Sequence, residues 1–288
     1  MTLIVILFAL AIEQFIGLTK DFRQLTWFES YFHWLENKTG HLKLWNGPVG
    51  VIMVLAGPLL IVWLITCLLA NTFFLLPLIF ALAVLTYSFG HHFLNNELDN
   101  YVDALEANDD QNIGKIESEL IDDAESGDQE QLIIEGVLIN TSDRLFGVLF
   151  WFLVLGPFGA IMYRLAAQLK MIQADIHGNF SDSTRDLYNI LNWPVARLFA
   201  LGNALSGNLV GAVDAWREVE SESLLVNDEV IKTSGLGALQ YRPGLSSIDD
   251  SIENERLYWM QSLQGLLNRT LFIWLTIVGV ISIAGWLG

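Results

Sequence analysis

Apolar and polar positions along this chain fall into long blocks rather than short alternations. A bilayer core of about 30 Å asks for about 20 apolar residues per crossing helix, and five blocks approach that length: residues 2–18, 48–70, 73–89, 145–163 and 271–287. Blocks 48–70 and 73–89 hold no charged residue, and only Asn71-Thr72 separates them, which predicts a tight helical hairpin. The first block carries an acid, Glu13, and no Lys or Arg precedes its apolar run at 3–12. A cleaved signal peptide has a basic start, so the block is expected to be a retained membrane segment. The fourth block is interrupted by Gly156-Pro157-Phe158-Gly159, and the fifth has Trp274 and Trp286 near its ends as interfacial anchors.

The polar regions between these blocks differ in character. Residues 19–47 mix Lys20, Arg23, Lys38 and Lys43 with Trp27, Trp34 and Trp45, as suits an interfacial connector. Residues 97–135 hold fourteen Asp or Glu and one Lys, yet Ile113, Ile116, Leu120 and Ala124 recur at helical spacing. That spacing predicts one helix with an apolar stripe and a solvated acidic face, broken near Ser126-Gly127-Asp128. Residues 164–269 are long enough for a small helical subdomain, in which Gly202, Gly207 and Gly211 offer a small-residue surface for a second copy of the chain. The resulting organisation is three membrane helices with an aromatic connector (1–90), an acidic helical cytoplasmic loop (91–144), a broken membrane helix or re-entrant hairpin (145–170), a mainly helical polar region (171–269) and a final membrane helix (270–288).

Composition sharpens this pattern into a fold class. The chain is 53% hydrophobic and only 16% charged, with mean hydropathy +0.44 and a net charge of −17 from 15 basic and 32 acidic residues. An ordinary soluble domain is about 25% charged, so the expected fold is an all-α polytopic membrane protein with four or five transmembrane helices. Nucleic acid is excluded as a partner, because affinity for a phosphate backbone is built from Lys and Arg. The lone Cys67 provides neither a disulfide framework nor a cysteine metal site. The basic residues fall in three blocks, 19–47, the acidic loop with Arg144, and 164–269. If every apolar block spans, two basic blocks face opposite sides, against the tendency of Lys and Arg to stay cytoplasmic. A hairpin at 145–163 that enters and leaves from one side resolves the conflict, giving four true spans and an outside amino terminus; five plain spans with a proline kink is the alternative.

Phosphate-loop, zinc-helix and nucleophile-elbow signatures are missing from the sequence. His91-His92 read as interfacial histidines, and Glu13 as an acid that snorkels from its segment end. The fourth block is flanked by a richer set: Glu135, Asn140 and Asp143 before it, and Arg164, Lys170, Asn192 and Arg197 after it. Carboxylates that hold Mg²⁺ and guanidinium groups that hold phosphate have this composition, and so do interfacial charges that cap a membrane hairpin. No catalytic residue and no metal ligand is assigned from the residues alone.

The stretches Glu135 to Asp143, Leu149-Phe150-Trp151, Gly156 to Ala160, Tyr163-Arg164 and Leu191 to Arg197 resemble, in order and spacing, the AmpE branch of the CobD/CbiB membrane family. The resemblance runs over essentially the whole chain. Its enzymes are similar to adenosylcobinamide-phosphate synthases, which join an amine to a corrinoid carboxylate with ATP. Against the synthase motifs this chain keeps Glu135, Asn140 and Asp143. It has Ile139 for a second Glu, Arg144 for Gly and Ala167-Gln168-Leu169-Lys170 for Asn-Thr-Leu-Asp, and lacks an early His-Pro element. The resemblance therefore implies a non-catalytic, multi-pass regulator of the bacterial inner membrane, tied to β-lactamase induction and muropeptide status, with no cofactor. A retained ligase activity using ATP and Mg²⁺ is the alternative, and a small transporter a third reading. A cavity with Arg164 and Arg197 would take an anionic muropeptide or nucleotide.

Overall fold

The computed structural model describes residues 2–16, 25–41, 45–70, 75–89, 94–107, 109–120, 128–174, 176–219, 226–242 and 252–284. Every regular element among them is helical: α1 (Thr2–Ile16), α2 (Thr26–Thr39), α3 (Pro48–Leu69), α4 (Leu75–Ser88), α5 (Leu94–Ala107), α6 (Asp110–Leu120), α7 (Gln129–Thr141), α8 (Gly147–Leu155), α9 (Pro157–Ile172), α10 (Asn179–Ser206), α11 (Leu209–Glu218), α12 (Asn227–Leu239) and α13 (Ile252–Ile283). A π-helical turn, Ser142–Phe146, joins α7 to α8 without a break in the helix. His91, His92, Ser126, Gly127 and Trp286, together with the Asn71-Thr72 turn, lie outside the described residues.

Among the described residues three helical stretches are long and apolar enough to cross a bilayer: Pro48–Leu69, Gln129–Leu155 and Arg256–Ile283. The expected four or five are not all reached by length. The apolar parts of α1 and α4, Thr2–Glu13 and Leu75–Ser88, are shorter, and at 1.5 Å per residue about 14 residues reach only about 21 Å. The fourth apolar block also starts earlier than its hydropathy suggests, because the polar turns of α7 continue into it. On α3, Ile52, Leu60, Ile61, Trp63, Leu64 and Leu68 are all exposed. A surface of that kind fits hydrocarbon rather than water.

The chain divides into two compact units, one of residues 1–91, 143–193 and 281–288, the other of residues 92–142 and 194–280. In the first, α9 is the central helix and packs against α3, α4 and α8, while α1 packs on α4. Its core joins Phe28 and Phe32 of α2 to Val51 and Val54 of α3 and to Leu165 and Leu169 of α9. Trp45 stacks on Phe180 there at 5.4 Å between ring centroids. The aromatic connector thus carries core residues, and among its described residues Trp27 and Trp34 remain outward. Glu13 is 3% exposed; it sits inside the fold instead of snorkelling away from it.

In the second unit α12 packs on α7 and α11, and α6 on α5 and α7. The acidic stretch forms two helices rather than one, and its main buried stripe lies earlier, at Leu98, Tyr101, Val102 and Leu105. Glu117 ties these helices together. It accepts hydrogen bonds from Tyr101 Oη at 2.7 Å, Arg256 Nη1 at 3.0 Å and Gln129 Nε2 at 2.7 Å. Burial, reinforced by Glu117, pushes the Tyr101 phenol well above its ordinary range. The glycines expected to face a second copy are taken up internally. A Cβ on Gly202 would meet Thr270, on Gly207 the Ala238 carbonyl, and on Gly211 the Gly237 carbonyl.

Candidate functional site

The Gly156-Pro157 break opens a helical hairpin. Gly156 adopts φ +65°, ψ −150°, a conformation that side chains disfavour, and Pro157 takes the first position of α9, where its missing N–H costs nothing. The interruption is thus a helix end followed by a helix start, rather than the proline kink of the alternative. Helices α8 and α9 then fold back on each other so closely that a Cβ on Gly147 would fall 2.2 Å from the Tyr163 ring. At the open end of this hairpin the π turn carries Asp143. π turns insert a residue into a helix and recur at functional sites.

Four side chains close a polar ring there. Tyr188 Oη donates to Asp143 Oδ1 at 2.5 Å, and Asn192 Nδ2 donates to Tyr188 Oη at 3.1 Å. Tyr163 Oη has a single proton and two acceptors in range, Asp143 Oδ1 at 3.2 Å and Asn192 Oδ1 at 3.1 Å. Tyr163, Tyr188 and Asn192 are fully buried. Helix α10 supplies Tyr188 and Asn192 one turn apart and is held on the hairpin by Trp151, whose Nε1 donates to the Leu191 carbonyl at 3.1 Å. Phenol-to-carboxylate bonds are charge-assisted and among the stronger neutral-donor contacts, so the Asp143 carboxylate is fixed rather than free to turn.

Arg164 and Arg144 lie near this carboxylate, and a lysine lies over one of the rings that hold it. Lys170 Nζ lies 4.1 Å above the centre of the Tyr188 ring. Arg164 is partly buried, attracted by Asp143 and repelled by Arg144. Among the described residues its guanidinium has no hydrogen-bond acceptor and no carboxylate at ion-pairing distance. Buried charges are ordinarily paired. An Arg with a second Arg beside it and no counter-ion in contact is a place for an oxyanion.

The other predicted residues belong to the second unit. Glu135, 8% exposed, pairs with Lys232 Nζ at 3.2 Å and accepts from Gln131 Nε2 at 2.7 Å. Arg197 Nη1 donates to Oδ1 of the buried Asn227 at 2.6 Å, and burial lowers the guanidinium pKa. Asn140 makes no side-chain hydrogen bond among the described residues. Of the six predicted residues, the structure thus brings Asp143, Arg164 and Asn192 together in one unit. Sequence reasoning missed Tyr163 and Tyr188 as site residues, although Tyr188 and Asn192 show the i,i+4 spacing of one helix face. Nothing in the local sequence signals that Lys232 neutralises Glu135. Among the described residues no three of His, Cys, Asp and Glu gather as a metal-holding group.

Comparison with known proteins agrees with this arrangement of motifs. Two curated relatives are each a "Cobalamin biosynthesis protein CobD". That of Chromobacterium violaceum is 37% identical over 109 residues, covering 37% of this chain and 35% of the relative. That of Stutzerimonas stutzeri is 33% identical over 108 residues, covering 36% of each. The matched stretch thus spans about a third of the length of these relatives. No solved structure matches. The family model described as CobD/Cbib protein matches residues 6–242, and the chain belongs to the CobD/CbiB family.

Proposed function

We propose that the chain is a membrane-bound amide-forming ligase of cobalamin assembly, related to adenosylcobinamide-phosphate synthase, with its site at the open end of the α8–α9 hairpin. The observation that carries this reading is the Arg164 guanidinium, partly buried near Arg144 and the fixed Asp143 carboxylate without a hydrogen-bond acceptor among the described residues. The two CobD relatives, named for cobalamin biosynthesis, support it.

Arg164 and Arg144 hold a phosphate or carboxylate of the substrate, and Asp143, oriented by Tyr163 and Tyr188, holds the amine that approaches it. The amide C–N bond forms as the amine displaces the phosphate that ATP has transferred to the carboxylate, with ADP, phosphate and a proton as the co-products. The residues do not fit a resident Mg²⁺: Asp143 Oδ1 accepts from Tyr188 and lies in reach of Tyr163, and among the described residues no further acid joins it in a metal-holding group. ATP–Mg²⁺ therefore enters this reading as a co-substrate carrying its own metal. The hairpin re-enters the bilayer from one side, which leaves the ring at the membrane surface where charged substrates reach it.

A second reading rests on the departures at Ile139, Ala167 and Lys170: an AmpE-type inner-membrane regulator that uses the same cations to bind an anionic muropeptide without turnover. Incubating the purified full chain with ATP–Mg²⁺, a corrinoid carboxylate and a phosphorylated amino alcohol separates the two. Amide product seen by mass spectrometry, lost in Arg164→Ala, supports the ligase. Saturable binding of anhydro-muropeptide that depends on Arg164, with no product and no ATP–Mg²⁺ binding, overturns it in favour of the regulator.

A further inference from the structure

One phenol of the first unit takes no part in the Asp143 ring. Tyr87 lies in the last turn of α4, the helix that packs against α9 and touches α8. Its ring packs on the core that contains Ile161 and Leu165, the residues that flank Arg164 on the inner side of α9. Arg164 lies within electrostatic reach of the Tyr87 phenol, as it does of Asp143. From α2, Trp27 Nε1 donates to Tyr87 Oη at 2.6 Å.

The Trp27 bond fixes what this hydroxyl can do. An indole N–H is a donor only, so Tyr87 Oη is the acceptor of the pair and its own proton remains to be given. Among the described residues nothing accepts that proton. The Arg164 guanidinium is in the same position, with N–H groups to donate and no hydrogen-bond acceptor among the described residues. Two neighbouring donors, one of them cationic, are both satisfied by a single acceptor that carries negative charge. Trp27 is 45% exposed and Tyr87 only partly buried, so a solute reaches the hydroxyl.

We propose that Tyr87 is a binding residue of the oxyanion site: its hydroxyl donates to the same oxyanion that Arg164 holds, and Trp27 positions it by occupying an oxygen lone pair. This role rests on the oxyanion site given to Arg164, and it holds for the ligase and the regulator alike. A neutral donor adds direction without charge. Arg164 alone attracts any small anion, whereas a guanidinium and a phenol together select one whose oxygens face both, as those of a phosphate do. Accepting from Trp27 also strengthens the Tyr87 O–H as a donor, because chained hydrogen bonds polarise one another.

The test uses the full chain in detergent at fixed chloride concentration, with inorganic phosphate titrated by calorimetry and amide product followed by mass spectrometry. Tyr87→Phe keeps the ring in the core and removes only the hydroxyl. It is expected to weaken phosphate by about tenfold or more, the loss of one hydrogen bond to a charged group, with little change in melting temperature. Trp27→Phe keeps an edge contact on Phe28 and is expected to weaken phosphate about threefold, but to add nothing in a Tyr87→Phe background; equal losses in both backgrounds overturn its positioning role. Tyr31→Phe, which removes a phenol of α2 that faces Gly57 of α3, is expected to leave the affinity unchanged. Arg164→Ala is expected to abolish phosphate binding, and undiminished binding in that variant overturns the shared site. Phosphate binding that depends on Tyr87 in a chain that makes no amide supports the donor role and removes the ligase. Amide product with phosphate affinity unchanged in Tyr87→Phe overturns the donor role and leaves the ligase. Absence of phosphate binding by the wild-type chain, or equal losses in Tyr31→Phe and Tyr87→Phe, also overturns the donor role.

Discussion

Tyr188→Phe tests the polar ring with the smallest possible change. The variant keeps the ring that lies 4.1 Å under Lys170 Nζ, so the cation–π contact survives and only the hydroxyl is lost. That hydroxyl donates to Asp143 at 2.5 Å and accepts from Asn192 at 3.1 Å. A hydrogen bond to a charged group contributes about 1.5–3 kcal/mol, and a buried donor left without an acceptor costs about 1–3 kcal/mol. Tyr163 stays within 3.2 Å of Asp143 and keeps one donor on the carboxylate, so the sum falls in the lower part of these ranges, at about 2–3 kcal/mol. At about 2–4 °C per kcal/mol for chains of a few hundred residues, the melting temperature drops by roughly 4–12 °C. Intrinsic tryptophan fluorescence during thermal unfolding in detergent reads it. The same substitution in an Asp143→Asn background separates the pair from the rest, with an expected coupling of about 1–2 kcal/mol. A loss below about 0.5 kcal/mol, or strict additivity of the two changes, refutes the ring as a coupled unit.

The same melts check the hairpin and the second unit. Gly147→Ala drives a methyl to 2.2 Å from the Tyr163 ring, an overpacking cost of about 1–3 kcal/mol that Tyr163→Leu should relieve. Gly156→Ala meets no atom within 4 Å but keeps φ at +65°, so it costs about 1–2 kcal/mol of backbone strain that no neighbouring substitution recovers. Lys232→Ala leaves the nearly buried Glu135 without its cation and is expected to cost about 3 kcal/mol, with Glu135→Gln in the same chain restoring most of it; no recovery would mean that the pair is not what Glu135 depends on. Burial and then the charge of Asp103 raise the Asp99 carboxyl above the usual range, partly offset by the Gln264 amide. Its folded pKa thus exceeds the unfolded one, so its stabilising share is present at acid pH and lost as pH rises through the carboxylate range. Asp99→Asn should flatten that slope between about pH 3 and 6, and an unchanged slope would refute the assignment.

Much of this fold could be read from hydropathy, because a helix that contacts lipid along its whole length is apolar on every side and stands out as a block. Pro48–Leu69 stands out in this way, apolar throughout and exposed on much of its surface. The reading failed where burial by protein replaced burial by lipid. The buried Glu135 of α7 is covered by Lys232, a partner far away in sequence that no window average reveals. Gly202, Gly207 and Gly211 marked a close helix contact correctly, yet the sequence does not say whether the neighbour is another chain or, as here, another helix of the same one. Asp143 and Arg164 were visible as polar residues beside a membrane block. The tyrosines that fix Asp143 were not, because a Tyr in an amphipathic helix looks like core until its hydroxyl has a partner.

The electrostatics of the ring explain why the motif departures and the retained skeleton do not conflict. The synthase resemblance places an acid where this chain has Lys170, and that lysine lies over the Tyr188 ring whose hydroxyl holds Asp143. Exchanging an acid for a lysine changes the local charge by two units. At an effective dielectric of about 20, one unit charge about 8 Å away is worth about 2 kcal/mol, so the exchange favours a bound anion by several kcal/mol and disfavours a bound cation by as much. Arg144 and Arg164 lie near one carboxylate whose orientation is set by two phenols, and Lys170 lies over the ring of one of them. The hydrogen-bond skeleton that positions Asp143 does not require the lost acid, since Tyr163, Tyr188 and Asn192 hold it without one. Substitution at position 170 therefore alters what the site attracts while leaving its geometry in place, and Lys170→Asp should shift selectivity from free oxyanions toward metal-complexed phosphates at little cost in melting temperature.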